Sequence, residues 1–205
     1  MSALNDKTDM NFLVVGVGGQ GVLLASNVLA EAGLILNLDV KKSEVHGMSQ
    51  RGGSVNSHVR WGPEVFSPLI GQGEVDVLVS LERLETLRYL NMLHPDSIIV
   101  ADPHPIYPIT VTAGKMVYPE DGAVRSWVAQ VVRRVYWVPG TRLAEELGNA
   151  RAANMVLIGA LSALLDVPDD VWHQAMKRRV PARFLDLNFR AFEVGKSYVT
   201  QKETR

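Results

Sequence analysis

Cysteine is absent from all 205 residues. Disulfides, thiolate nucleophiles and thiolate-ligated iron–sulfur clusters are excluded together, because each needs a sulfur atom that this chain does not supply. Any electron relay must therefore lie on another chain. Charge of one sign is missing too: 21 basic residues against 22 acidic ones leave a formal net charge of -1. No field exists that would gather nucleic acid or an anionic membrane. No apolar run approaches the roughly 20 residues that a bilayer requires. The polar opening residues lack the basic-then-apolar pattern of a signal peptide. A cytoplasmic protein with no nucleic-acid and no membrane partner is the expectation. The histidines at 46, 58, 94, 104 and 173 show no pairing three to five residues apart with a nearby carboxylate, so a zinc or iron site finds little support.

Composition does not shift abruptly anywhere, and the chain reads as a single domain over 1–205. Short apolar runs alternate with segments of helical period. Phe12 to Val17 reads as a strand and Gly21 to Ala32 as a helix, with a second strand over Leu38 to Glu44. From Ser54 the pattern alternates, with Val55, Ser57, Val59 and Trp61 on one face. Gly62-Pro63 then predicts a hairpin into Val65 to Ile70. Val75 to Leu81, Ser97 to Ala101 and Val135 to Val138 are further strands. Helices fall at Glu82 to Asn91 and at Gly122 to Arg134, where Val124, Trp127, Val128, Val131 and Val132 point inward. Arg151 to Leu165 is apolar nearly all round and predicts a buried central helix. Thr141 and Asp169 are cap candidates, and Phe184, Leu187, Phe189 and Phe192 mark a last amphipathic helix. The fold class is α/β, a three-layer α/β/α Rossmann-like arrangement on a mixed, mostly parallel sheet.

Two segments could carry chemistry. Gly16-Val17-Gly18-Gly19-Gln20-Gly21 fits G-x-G-x-x-G between strand and helix, where glycines let backbone N–H groups approach a phosphate. A nicotinamide enzyme also needs an acid at the far end of the second strand, and here that strand begins with Asp39 and runs through Lys41 and Lys42. Tight strand-to-helix packing is the plainer reading of these glycines, and NAD(P) binding stays as an alternative. The second segment, Glu44 to Ser54, gathers His46, Met48, Ser49, Gln50 and Arg51 beside Gly52 and Gly53 at the expected C-terminal edge of the sheet. It reads as a recognition loop in which Arg51 offers a forked donor for carboxylate or phosphate. A self-satisfied polar loop at an interface is the competing reading. Asn149 and Asn154, flanking the buried helix, read as caps or backbone ties. Lys177, Arg178 and Arg179 read as a solvated helix end.

Taken together, Gly18-Gly19-Gln20-Gly21-Val22 followed by Arg51-Gly52-Gly53 resembles the gamma module of the pyruvate and 2-oxoacid:ferredoxin oxidoreductases. His46-Gly47-Met48-Ser49-Gln50-Arg51-Gly52-Gly53-Ser54 is similar to the form found in the beta subunit of the indolepyruvate branch. The resemblance continues through Asn149, Asn154, Leu157 to Leu161, Pro181 and Asn188 to Phe192. It implies a small subunit with no cofactor of its own. Thiamine diphosphate, magnesium and iron–sulfur clusters would sit on a large partner subunit that passes electrons to ferredoxin, with coenzyme A as co-substrate. The branch acting on pyruvate, 2-oxoisovalerate or 2-oxoglutarate is the alternative within the family, and a pure assembly module, with Met48 or Trp61 at its interface, is another. The resemblance also places the 16–21 and 46–54 loops, with Gly18, Gly19, Gln20 and Gly21 among their residues, beside the cleft where coenzyme A arrives. An isolated chain could self-associate as a homodimer through the surface meant for its partner.

Overall fold

The structure, a computed structural model, describes residues 9–46 and 53–203. Its strands are β1 (Met10–Val17), β2 (Asp39–His46), β3 (Ser54–Gly62), β4 (Val75–Ser80), β5 (Leu93–Ala101) and β6 (Arg134–Trp137). The helices are α1 (Val22–Ile35), α2 (Arg83–Arg88), α3 (Ile109–Thr112), α4 (Asp121–Ala129), α5 (Gly140–Glu146), α6 (Ala153–Ser162), α7 (Asp169–Arg179) and α8 (Leu185–Glu203). The strands form one sheet in the order β2-β3-β1-β4-β5-β6. β1, β4, β5 and β6 pair in parallel, whereas β3 runs antiparallel to both β1 and β2.

Strand alternation divides the core into two layers. Phe12 and Val14 of β1 join Val77, Val79, Ile98 and Val100 beneath α1, α6, α7 and α8. Leu13 and Val15 join Leu78, Ile99 and Ala101 beneath Val124 and Val128 of α4. This is the expected α/β/α arrangement on a mixed sheet. Every residue of α6 is buried, as its all-round apolar sequence predicts. It crosses α8 at two reciprocal glycines: a Cβ on Gly159 would collide with the Phe192 carbonyl, and one on Gly195 with that of Val156.

Several local expectations are corrected. Residues 65–70 form no strand. The backbone of this stretch is tied by side chains instead: Asp39 accepts from Val65 N at 2.9 Å, Arg60 Nη1 donates to the carbonyls of Ser67 and Leu69 at 3.1 and 3.2 Å, and His58 Nδ1 accepts from Ile70 N at 3.2 Å. Trp127 is 48% exposed, because the inward stripe of α4 is filled by Val124 and Val128 and leaves Trp127 beside it. Trp61 is 4% exposed, with its ring 4.6 Å from Phe12 and 6.4 Å from Trp172. It is a core residue and does not present itself to a partner. Thr141 does not cap α5: it lies within the helix, whose N-cap is Pro139, and its N–H and hydroxyl both donate to Asp102. The basic run is no free helix end: Arg178 and Arg179 donate to Glu31 of α1 at 2.8 and 2.7 Å. Among the described residues no helix is long and apolar enough to cross a membrane.

Candidate functional site

Sheet register brings the two candidate segments to one edge. Val17, the last residue of β1, pairs with Ser54, the first of β3, and His46, closing β2, pairs with Val55. This is the edge where the parallel strands end, the usual seat of ligands in open α/β sheets. Of the recognition segment, Met48, Ser49, Gln50, Arg51 and Gly52 lie outside the described residues, so the structure places only its roots, His46 and Gly53.

The glycine loop is latched by its own neighbours. Gln20 Oε1 accepts from Val17 N at 2.7 Å, and its Nε2 donates to Leu81 O at 2.6 Å. Gly18 N donates to Gly53 O at 3.0 Å, and Gln20 N to Val17 O at 3.1 Å. Gly19 and Gly21 have φ of 103° and 81°, a left-handed region that suits glycine. Asn154 Nδ2 donates to Gly21 O at 3.1 Å, the backbone tie that its position suggested. These bonds argue against a pyrophosphate cradle, because the N–H groups of Val17, Gly18 and Gln20 are spent inside the protein. Topology argues the same way. β3 separates β1 from β2, and Asp39 sits at the opposite end of β2, where it accepts from Lys41 Nζ at 2.5 Å.

Two clefts flank the tie between Gly18 and Gly53. One, of about 340 Å³, is lined by Val17, Gly18, Gly19, Gly21, Val22, Leu23 and Val55. The other, of about 360 Å³, lies between Gly53, Ser54, α2 and residues 106–110. Its floor carries two carboxylates that motif reading missed, Glu82 and Glu85, at 1% and 3% exposure. Glu82 caps α2 by accepting from Leu84 N and Glu85 N, and its other oxygen accepts from Ile106 N at 2.9 Å and from the Tyr118 hydroxyl. Burial and this carboxylate raise the pKa of the Tyr118 hydroxyl. Burial also raises the pKa of Glu85, against the opposing pull of Ser54 and Arg88. An acid two residues after strand β4 and just before a helical period was the one available signal for Glu82. Glu85 had none, because its partner Ser54 lies on a distant strand. Among the described residues no group of three His, Asp or Glu side chains could hold a metal ion.

This edge, with its latched glycine loop and adjoining recognition segment on an α/β/α sheet, belongs to a known class of redox-enzyme module. The chain is a member of the pyruvate ferredoxin/flavodoxin oxidoreductase family, whose model matches residues 11–198, and the resemblance seen in the motifs is borne out. More particularly, it is 38% identical over 188 residues to indolepyruvate oxidoreductase subunit IorB of Archaeoglobus fulgidus, covering 91% of this chain and 93% of that protein. To subunit IorB of Thermococcus kodakarensis it is 37% identical, covering 91% and 94%. The fold is shared with a keto/oxoacid ferredoxin oxidoreductase gamma subunit from Geobacter sulfurreducens, at a TM-score of 0.69 and 24% identity over 94% of this chain and 99% of that one. It is also shared with 2-oxoglutarate:ferredoxin oxidoreductase from Magnetococcus marinus, solved with 2-oxoglutarate, coenzyme A and succinyl-CoA bound. There the TM-score is 0.74 at 23% identity, over 96% of this chain and 32% of that one.

Proposed function

We propose that this chain is the small subunit of an indolepyruvate-type 2-oxoacid:ferredoxin oxidoreductase. The overall reaction converts an aryl pyruvate and coenzyme A to an aryl acyl-CoA and carbon dioxide, and two electrons leave to ferredoxin. The carrying observation is the gap between branches: identity reaches 38% with an indolepyruvate subunit over nearly its full length, but 27% with the 2-oxoglutarate synthase subunit KorC of Methanothermobacter marburgensis.

The chain's donor set does not fit an iron–sulfur cluster, because no cysteine exists to ligate one. The clusters, and the thiamine diphosphate with its magnesium, are assigned to a large partner subunit, which also meets ferredoxin. To the joint enzyme this chain contributes the 16–21 loop and the 46–54 segment as part of the wall facing coenzyme A, where the guanidinium of Arg51 would meet an anionic group of that co-substrate. A homodimer of the isolated chain would use the face that the large subunit covers in the complex.

The test is anaerobic purification of the tagged chain from its native source, with iron analysis and an assay of indolepyruvate- and CoA-dependent reduction. The expected result is an iron-rich, thiamine-dependent partner in the active fraction. Recovery of the chain alone with NADH bound, or with nucleotide-dependent activity, would overturn the reading.

A further inference from the structure

The connection from β5 to α4 carries four of the eleven large apolar side chains that stay exposed among the described residues: Tyr107, Ile109, Met116 and Val117. Ile109 is 82% exposed and Val117 92%, so residues 107–117 stand clear of the body rather than lying on it. Apolar surface gathered in this way marks a place where another molecule excludes water. The shape of the segment is fixed from within. Val111 N donates to Pro108 O, Ala113 N to Ile109 O and Lys115 N to Thr110 O, at 2.9, 2.8 and 2.9 Å, and Gly114 turns the chain back at a φ of 70°. Both of its ends are clasped by the start of α2. Glu82 accepts from Ile106 N on one side and from the Tyr118 hydroxyl on the other. The Arg83 guanidinium lies 5.0 Å from the centre of the Tyr118 ring, and Tyr107 meets that ring edge-on at 5.0 Å. A protrusion held in one shape binds with little loss of conformational entropy.

Charge and a relative indicate what covers it. The sole charged residue between Tyr107 and Tyr118 is Lys115, which is exposed and has no carboxylate partner among the described residues. A two-fold contact between copies centred on this segment would set Lys115 against its own copy, and one protrusion against another. A different protein can offer a hollow and a carboxylate instead. Ketoisovalerate oxidoreductase subunit VorA of Methanothermobacter thermautotrophicus is 28% identical over 92% of this chain, yet the match spans only 36% of that protein. There the module is joined to further protein by the polypeptide itself. A small subunit of the kind proposed above has to hold the remainder of its enzyme through its surface.

We propose that residues 107–117 are a preformed docking element: they seat Tyr107, Ile109, Met116 and Val117 in an apolar hollow of the large subunit, with Lys115 meeting a carboxylate at its rim. This rests on the reading that the chain is the small subunit of a larger enzyme.

The experiment dilutes the purified two-subunit enzyme anaerobically and reads its dissociation constant by sedimentation, for wild type, Met116→Asp/Val117→Asp, Lys115→Glu and Phe66→Asp. Phe66 is also exposed and apolar but lies outside the segment. The double aspartate should raise the dissociation constant about a hundredfold or more. The isolated chain should keep its thermal midpoint to within about 3 °C, because both positions face water there. Lys115→Glu should weaken the complex about tenfold at low ionic strength and less as salt rises, and Phe66→Asp should change it by less than about twofold. A wild-type chain that binds no large subunit overturns both the subunit reading and the docking element. A wild type that binds, with the double aspartate binding equally well, overturns the docking element alone. Equal weakening by Phe66→Asp overturns the assignment to this segment, and an unchanged or tighter complex in Lys115→Glu overturns the carboxylate-rimmed hollow. A double aspartate that loses self-association of the isolated chain but keeps its hold on the large subunit overturns the proposal in favour of a second copy.

Discussion

Asn154 Nδ2 donates to Gly21 O at 3.1 Å, joining buried helix α6 to the glycine loop across 133 positions of sequence. The same amide fills the space a side chain at residue 21 would need. Asn154→Asp removes the donor and sets a carboxylate against a carbonyl, an arrangement that costs about 1–3 kcal/mol. Gly21→Ala adds a methyl to a residue at φ 81°, and backbone strain of that kind costs about 1–3 kcal/mol before the collision is counted. Chemical denaturation of both variants, of Asn154→Ala and of the Gly21→Ala/Asn154→Ala double variant should show the double less destabilised than the sum of Gly21→Ala and Asn154→Ala, because alanine at 154 clears the collision but leaves the strained φ. Strict additivity would mean that the two residues do not compete for that space.

The elements that sequence made legible are those whose signal is local. Apolar runs gave β1, β4 and β5, and the all-round apolar stretch gave α6, because burial on both faces leaves no other composition open. The glycine loop and Asn154 were legible through their residue types. What could not be read was pairing between distant positions. Nothing near Glu31 announces Arg178 and Arg179, and nothing near Ser54 announces Glu85. The hairpin expected over Val65 to Ile70 failed for a related reason: the side chains of Asp39, His58 and Arg60 satisfy that backbone, a solution that alternation within the segment cannot reveal. Trp127 misled because aromatic character suggests burial, while a nine-residue helix with two inward valines has no room left on its buried face.

The crossing of α6 and α8 should tolerate no side chain at its two glycines. Carbonyl groups of the facing helix occupy the space beside Gly159 and Gly195, and backbone cannot rotate away as a flexible side chain can. Gly159→Ala and Gly195→Ala each force the helices apart, an overpacking penalty of about 1–3 kcal/mol or more. Thermal unfolding checks this, with Ala160→Gly on the same helix as a contrast. That change should cost about 1 kcal/mol through helix propensity and the lost methyl. A stable Gly159→Ala protein would show that the helices do not approach as closely as described.

Glu31 makes part of the fold's stability depend on acidity. Its side chain is 7% exposed, and hydrogen bonds from Arg178 hold its pKa below the ordinary 4.5, against the opposing effect of burial. A carboxyl with a lowered folded pKa contributes stability that is complete above its unfolded value and is lost as pH falls through the folded one. Replacing both Arg178 and Arg179 by alanine strands that carboxylate and should cost about 1–3 kcal/mol at pH 7. The deficit should shrink as pH falls through the ordinary carboxyl value of 4.5 toward the lowered folded one, where wild-type Glu31 also takes up its proton. Denaturant midpoints measured from pH 7 to pH 3 would record the convergence, and a constant gap would place the lost stability in packing of the arginine stems.

Asp102 and Glu85 are both buried carboxyls whose pKa burial raises, yet their amides should behave oppositely. For either group the sign is the reverse of Glu31: the neutral acid is favoured on folding, so its contribution is full below the unfolded value and lost as pH rises through the folded one. An uncharged amide should therefore help at neutral pH wherever the hydrogen bonds permit it. At Glu85 they do, since one partner is the Ser54 hydroxyl, which can donate or accept, so Glu85→Gln should match or exceed wild-type stability at pH 8. Its advantage should fade as pH drops toward 4.5, where the wild-type carboxyl becomes neutral as well. At Asp102 they do not. One oxygen accepts from Thr141 N at 2.6 Å and Thr141 Oγ1 at 2.7 Å, and the other from His104 N at 3.0 Å. An asparagine must turn its own N–H₂ toward one of those backbone donors. Asp102→Asn should cost about 1–3 kcal/mol at pH 7 and loosen the start of α5, seen as faster exchange at Thr141. Equal responses of the two variants would mean that charge burial, rather than the direction of the donors, governs both sites.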